Sequence, residues 1–251
     1  MLRLAKFLAV GLLLGSLGAQ AQAPLRLMAN TSPPYADVRL PERGLALELV
    51  EHVFSGADIK TDISIENWSR AVEGAKLGVY SGLAAAWYSD ERAEELLFSE
   101  PYLSSKLIIL KRRKETRHFT SLKQLSGARI GVRTDYAYGV DLAAIPRLTQ
   151  VQENHLIQNL LNLQNGRVDF VIGDRRTIIH QLNEYMGDKL NLFSVTDIKL
   201  DPVARHVAVS RSLEGHEKII SEFNAALAAT RKDGSHQAIV DKWDQRYRGV
   251  E

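Results

Sequence analysis

Residues 87–102 read Trp87-Tyr88-Ser89-Asp90-Glu91-Arg92-Ala93-Glu94-Glu95-Leu96-Leu97-Phe98-Ser99-Glu100-Pro101-Tyr102. The residues just before them, Leu83 to Ala86, form a short continuous apolar run, as expected of a buried strand. Ser89 stands where a helix N-cap belongs, with Asp90 and Glu91 in the first turn, where carboxylates are favoured. Pro101 pushes Glu100 out of helical geometry and ends the element. The layout is strand, short loop, then a helix start carrying Arg92. Free backbone N–H groups and a guanidinium can converge there on one carboxylate. The competing reading is an exposed Arg92 paired with Glu91 or Glu95, which would contribute little.

Upstream, the pattern alternates between strands and helices. Leu25 to Ala29 reads as a strand, followed by the turn-rich Asn30-Thr31-Ser32-Pro33-Pro34-Tyr35, which cannot be helical. Gly44 to Phe54 reads as a helix, with Leu45, Leu49 and Val53 on one face. Ile59 to Ile65 alternates as a strand. Asn67 is expected to cap the next helix, where Trp68, Ala71, Val72 and Ala75 share a face, and Gly78 to end it. This order predicts a parallel α/β unit.

Downstream, Leu103 to Leu110 reads as one strand, and Lys111-Arg112-Arg113-Lys114-Glu115 as a solvated linker. The pattern then restarts. A short helix spans Ser121 to Leu125, a strand Arg129 to Arg133, and a helix Asn154 to Gln164, capped by Asn154 and closed by Gly166. A strand follows at Val168 to Ile172, a helix at Asp174 to Met186, and a strand at Leu190 to Val195. A last strand, Arg205 to Ser210, precedes two helices separated by Gly234. Those helices have no strands of their own and must cover a sheet formed elsewhere in the chain.

The 251 residues suffice for one or two domains with a real core. The formal net charge is +2, and Arg3 and Lys6 carry that excess, so the rest of the chain is charge-balanced. A nucleic-acid partner needs a basic face and is not expected. Residues 1–23 read as a signal peptide: Arg3 and Lys6 at the positive end, a short apolar core from Phe7 to Leu17, and Ala21-Gln22-Ala23 as the cleavage site. The core is shorter than the roughly 20 helical residues that span a bilayer. There are no cysteines, hence no disulfides, no thiolate chemistry and no cysteine for a lipid tether. The periplasm is the expected address.

No catalytic signature stands out. Gly78-Val79-Tyr80-Ser81-Gly82 places its serine one position too late for a nucleophile elbow, and no phosphate loop or G-x-G-x-x-G is present. None of the seven histidines lies three or four residues from another, so no helical metal pair is visible.

Gly82 at a strand start, Asp90-Glu91-Arg92 and Phe98-Ser99-Glu100-Pro101-Tyr102, in that order, resemble bacterial solute-binding protein family 3. These are the periplasmic binding proteins of polar amino acid ABC transporters. Phe223-Asn224-Ala225-Ala226-Leu227, Asp233-Gly234 and Lys242-Trp243 continue the resemblance to the end of the chain. It implies an α/β type II periplasmic binding fold with two lobes, each a mostly parallel sheet flanked by helices, joined by two hinge crossings near Lys111 and Ala204. Lobe 1 would comprise residues 24–111 and 205–251, and lobe 2 residues 112–204.

By the same resemblance, Arg92 would hold a ligand carboxylate. Asp174, in Gly166-Arg167-Val168-Asp169-Phe170-Val171-Ile172-Gly173-Asp174, would hold an ammonium; its spacing fits a helix N-cap equally well. Tyr35, Trp68 and Trp87 would form apolar walls. The chain departs from the family at Ser81, where an aspartate is usual, and at Ala84, Ala85 and Ala86, where hydroxyl residues are usual. After Val132 it reads Arg133-Thr134-Asp135-Tyr136-Ala137 in place of glycine and a hydroxyl residue, and Thr134 is expected to replace one lost hydroxyl. The implied function is capture of a small polar solute, an amino acid or related carboxylate, by a monomer that delivers it to a membrane permease. No cofactor is implied. A dehydratase-like enzyme on the same scaffold, or the sensing subunit of a signalling system, are the alternatives. Protein recovered from the periplasm is expected to begin at Pro24, and N-terminal sequencing that finds Met1 would defeat the leader reading.

Overall fold

A computed structural model describes residues 23–246. All of the expected signal peptide except Ala23 lies outside the described residues. Two sheets organise the chain. The first has the order β2-β1-β3-β11-β4, with β5 also paired to β11. Its strands are β1 (Leu25–Asn30), β2 (Thr61–Glu66), β3 (Gly82–Trp87), β4 (Leu96–Phe98), β5 (Leu103–Ser105) and β11 (Val203–Ser210). The second has the order β10-β6-β9-β7-β8, made of β6 (Leu107–Arg112), β7 (Arg129–Arg133), β8 (Thr149–Glu153), β9 (Phe170–Asp174) and β10 (Phe193–Val195). The helices are α1 (Leu45–Gly56), α2 (Trp68–Lys76), α3 (Asp90–Glu95), α4 (Leu156–Gln164), α5 (Arg175–Met186), α6 (His216–Lys232) and α7 (Ser235–Arg246).

Each sheet combines parallel and antiparallel pairs. β1 runs parallel to β2 and β3, whereas β11 is antiparallel to β3, β4 and β5. β7 is parallel to β8 and β9, and β6 is antiparallel to β9 and β10. The sheets are therefore mixed, with antiparallel strands at the crossings.

The first sheet is covered on both faces. One carries α1, α6 and α7, with Leu47, Val50, Phe54, Phe223, Leu227 and Trp243 buried against Leu27, Val207 and Val209. α2 covers the other, with Ala71 and Ala75 against Met28, Leu83 and Ala208. The two C-terminal helices thus return to the first sheet. Glu48 of α1 anchors them, accepting from Trp243 Nε1 at 2.6 Å and from Lys242. In the second unit α4 and α5 cover one face through Leu160, Leu163, Ile178 and Leu182. The other face is filled by loop residues Phe119, Leu125, Tyr138 and Ile145, and Trp87 from the end of β3 packs into this same cluster.

Several local readings change. The run Leu103 to Leu110 is two strands in different sheets, β5 and β6, and the chain crosses at Lys106, so β6 joins the second sheet although the sequence reading grouped it with the first. The uninterrupted apolar pattern hides the break. The charged run is not a solvated linker: Lys111 and Arg112 belong to β6, and Arg112 pairs with Asp169 at 3.3 Å and donates to Leu163 O at 2.9 Å. Leu96 to Phe98 leaves helical geometry early to become β4, which pairs with β11. β8, Thr149-Gln150-Val151-Gln152-Glu153, lies at a sheet edge with both faces largely exposed, so no apolar alternation announces it. α4 starts after His155, which makes no side-chain cap, and Asn154 is not its cap.

Gly82 is required by close approach. A Cβ there would lie 2.1 Å from Ala208 O and 2.8 Å from Val209 Cα, both backbone atoms of the paired strand. Gly82→Ala is expected to destabilise the protein by about 1–3 kcal/mol, as overpacking does. An unchanged urea midpoint would refute this account of the β3–β11 contact.

Candidate functional site

The loops at the ends of β1, β3 and β7 meet between the two sheets. Ser89 caps α3 as expected, accepting from Arg92 N at 3.3 Å. The cap turns Arg92 inward, leaving the residue 8% exposed. Its guanidinium donates through Nη1 to Trp87 O at 2.9 Å and through Nη2 to Asp135 O, across the cleft, at 2.7 Å. It also lies 5.1 Å from the Trp68 ring centre, within cation–π range. Burial pushes the guanidinium below its ordinary value. No carboxylate pairs with Arg92 among the described residues, and the exposed pairing with Glu91 or Glu95 does not form: Glu91 pairs with Lys76 instead.

Arg92, Trp68 and Trp87 line one small cavity together with Asn30, Tyr136 and Arg205; Ala85, Asp135 and Ala137 complete it. Its volume is about 10 Å³, room for about one water molecule. Tyr136 fills the space between the lobes. Its ring stands 5.0 Å from Trp87 and 6.4 Å from Trp68, and its hydroxyl accepts from Asn30 Nδ2 at 3.0 Å and Arg133 Nη1 at 2.6 Å. Outside Arg92 the cleft widens into an open groove of about 380 Å³ between α2 and the α3 start, bordered by Ser69, Val72, Glu73, Lys76 and Ser89.

Three expected site residues stand elsewhere. Asp174 is the N-cap of α5, accepting from Thr177 N at 2.9 Å and Thr177 Oγ1 at 3.2 Å. Its carboxylate also accepts the Tyr35 hydroxyl at 2.9 Å, a bond from the first unit to the second. Burial and then the Asp174 charge hold the Tyr35 phenol well above its ordinary range, so it remains a donor. Neither residue lines the cavity. Thr134 does not line it either; its backbone N–H continues the β7–β8 ladder by donating to Glu153 O at 3.1 Å.

The sequence reading missed Arg205, Tyr136 and Asn30. Arg205 is 4% exposed. Its guanidinium stacks 3.7 Å from the Tyr35 ring centre and 5.5 Å from that of Trp87, and Nε donates to Ser105 Oγ at 3.2 Å. A signal was available. Arg205, Val207 and Val209 recur at strand spacing, so a cation shares the phase of the buried face. Tyr136 and Tyr138 alternate after β7 in the same way.

The sequence profile of the bacterial extracellular solute-binding proteins, family 3, matches residues 27–246. The chain belongs to this family. The putative ABC transporter arginine-binding protein 2 of Escherichia coli K12 is 26% identical over 96% of this chain and 99% of its own. Among solved structures, an ancestral arginine-binding protein bound to arginine superposes with a TM-score of 0.75 at 18% identity, covering 88% of this chain and 98% of that one. A histidine kinase sensor domain similar to periplasmic binding proteins gives 0.73 at 19% identity, covering 88% and 95%. The two-sheet architecture is thus the type II periplasmic binding fold.

The Tyr35–Asp174 bond has a direct test. A hydrogen bond to a charged group contributes about 1.5–3 kcal/mol, so its loss should shift the lobes toward the open state. Tyr35→Phe is expected to raise the ligand-free radius of gyration in small-angle scattering without loss of helical circular dichroism. Asp174→Ala should in addition lose about 1 kcal/mol of stability with the α5 cap. A Tyr35→Phe protein as compact as wild type would remove the latch.

Proposed function

We propose that this family 3 member captures a small polar carboxylate, an amino acid or a related acid, in the periplasm and presents it to the permease of an ABC transporter. The observation that carries this reading is Arg92: a buried guanidinium in the interlobe cleft, held by two backbone carbonyls and an indole face and paired with no acid among the described residues. Only two of its five N–H donors are used. The relatives' names, which specify arginine binding and ABC transport, support a solute of amino-acid size.

The two sheets with their helices act as the moving lobes, and residues around Lys106 and Val203 act as the hinge. Trp68 and Trp87 form the walls against the ligand. Tyr35 and Asp174 act as the latch that holds the lobes together, and Thr134 serves the β7–β8 ladder. The protein acts by binding; the site offers no nucleophile paired with a base.

A thermal-shift screen of amino acids and organic acids tests the reading, because ligand at a hundredfold its Kd adds about 2.7 kcal/mol of apparent stability. Calorimetric titration of the best ligand should show a ten- to hundredfold weaker Kd for Arg92→Ala, about 1.5–3 kcal/mol. Equal affinity for wild type and Arg92→Ala would overturn the assignment.

A further inference from the structure

The cavity is rich in donors and poor in acceptors. Arg92 and Arg205 flank Trp87 from two sides: Arg92 bonds its carbonyl, and Arg205 lies over its ring. Neither has a carboxylate within ion-pair distance among the described residues, and neither Nη of Arg205 makes a hydrogen bond there. The indole N–H groups of Trp68 and Trp87 are buried, and both lack an acceptor. Arg133 reaches the cavity through Tyr136, stacks 4.3 Å from that ring, also lacks an acid, and has its Nε buried without a partner.

On the inner wall, acceptors are scarce. The Tyr136 hydroxyl already takes two donors. Asp174 lies off the cavity and is occupied by Tyr35 and Thr177. Asp135 lines both the cavity and the outer groove but is an exposed residue whose carboxylate accepts from Ser69 Oγ at 3.4 Å, and Glu73 and Glu91 border the groove only, where water solvates them. A buried charge demands a compensating charge or hydrogen bonds, and among the described residues the cavity has buried cations with no buried carboxylate beside them.

We infer that the ligand is a small dicarboxylate, with one carboxylate on Arg92 and the other on Arg205 and the neighbouring indole N–H. Tyr136 leaves the cavity as the lobes open, and the ligand takes its place. Among the described residues the cavity side chains leave Asn30 Oδ1 as an uncharged acceptor and offer no buried carboxylate, so an α-amine is not required. This rests on the capture reading above and narrows its ligand. It also separates this chain from relatives named for arginine, whose guanidinium would meet two others here.

The test is calorimetric titration of the mature protein with succinate, glutamate, butyrate and arginine at fixed ionic strength. Succinate is expected to bind at least tenfold tighter than butyrate and tighter than arginine, with glutamate within a fewfold of succinate. Arg205→Gln should erase the preference for succinate over butyrate, and Arg205→Lys should retain part of it. The wild-type rank order stands even if the Arg205 variants fail to fold. Arginine binding tightest would overturn the dicarboxylate assignment and leave the capture reading intact. So would a preference for succinate unchanged in a folded Arg205→Gln. Failure of all four ligands to bind would overturn the dicarboxylate assignment, while the capture reading falls only with the wider thermal-shift screen.

Discussion

Removing a guanidinium from water costs several kcal/mol unless an opposite charge or a full set of hydrogen bonds replaces the lost hydration. Arg92 is buried with only partial compensation: two carbonyls and an aromatic face. One of those carbonyls belongs to Asp135 in the other lobe, so the arginine's environment depends on closure. When the lobes part, the bond to Asp135 O is lost and water returns. When they close on an anion, the cation gains the partner that its own chain does not provide. The site and the hinge are coupled through this one charge.

β11 makes that coupling structural. It is the strand on which the chain returns to the first sheet, and it is bonded to β3, β4 and β5. Arg205 near its start stacks on Tyr35, whose hydroxyl reaches Asp174 at the start of α5. A line of contacts therefore runs from the cavity through Arg205 and Tyr35 to the second lobe. On the opposite side, Tyr136 reaches back from the second lobe to Asn30 and both tryptophans. The closed form is held partly by residues of the cavity, such as Tyr136 and Arg92, and partly by bonds outside it, Tyr35–Asp174 and Arg176–Asp244.

Much of this was legible where local chemistry decides local geometry. Asn67, Ser89 and Asp174 all cap the helices that follow them, because a short polar side chain before an apolar period has few better uses. The α/β order, the two units and the return of the last helices to the first sheet also followed from pattern and resemblance. What escaped was set by contacts distant in sequence. The break at Lys106 separates two equally apolar strands, and only sheet partners distinguish them. Arg112 reads as one of a basic run until Asp169 is placed beside it. Thr134 offers the hydroxyl that the resemblance leads one to expect, whereas the residue that enters the cleft is Tyr136, two positions later. Arg205 and Asn30 carry no motif; they matter because the fold brings the start of β11 and the end of β1 to one wall.

The departures from the family pattern become intelligible on that wall. Of Ala84, Ala85 and Ala86, where the resemblance leads one to expect hydroxyl residues, only Ala85 lines the cavity and offers it a methyl, while Ala84 and Ala86 are packed into the cores beneath the helices. A wall that loses hydroxyls loses acceptors as well as donors. Arg205 and the two indole N–H groups restore donors only. The balance of the cleft has shifted from one that can satisfy an ammonium and a carboxylate together toward one that satisfies negative charge. Selectivity in such a site comes from what is left unpaired when the wrong ligand binds. Here a cationic side chain would leave two buried guanidiniums uncompensated and add a third positive charge beside them. The fold is shared across the family at low identity, whereas the ligand is decided by a few side chains whose charges must balance once water is expelled.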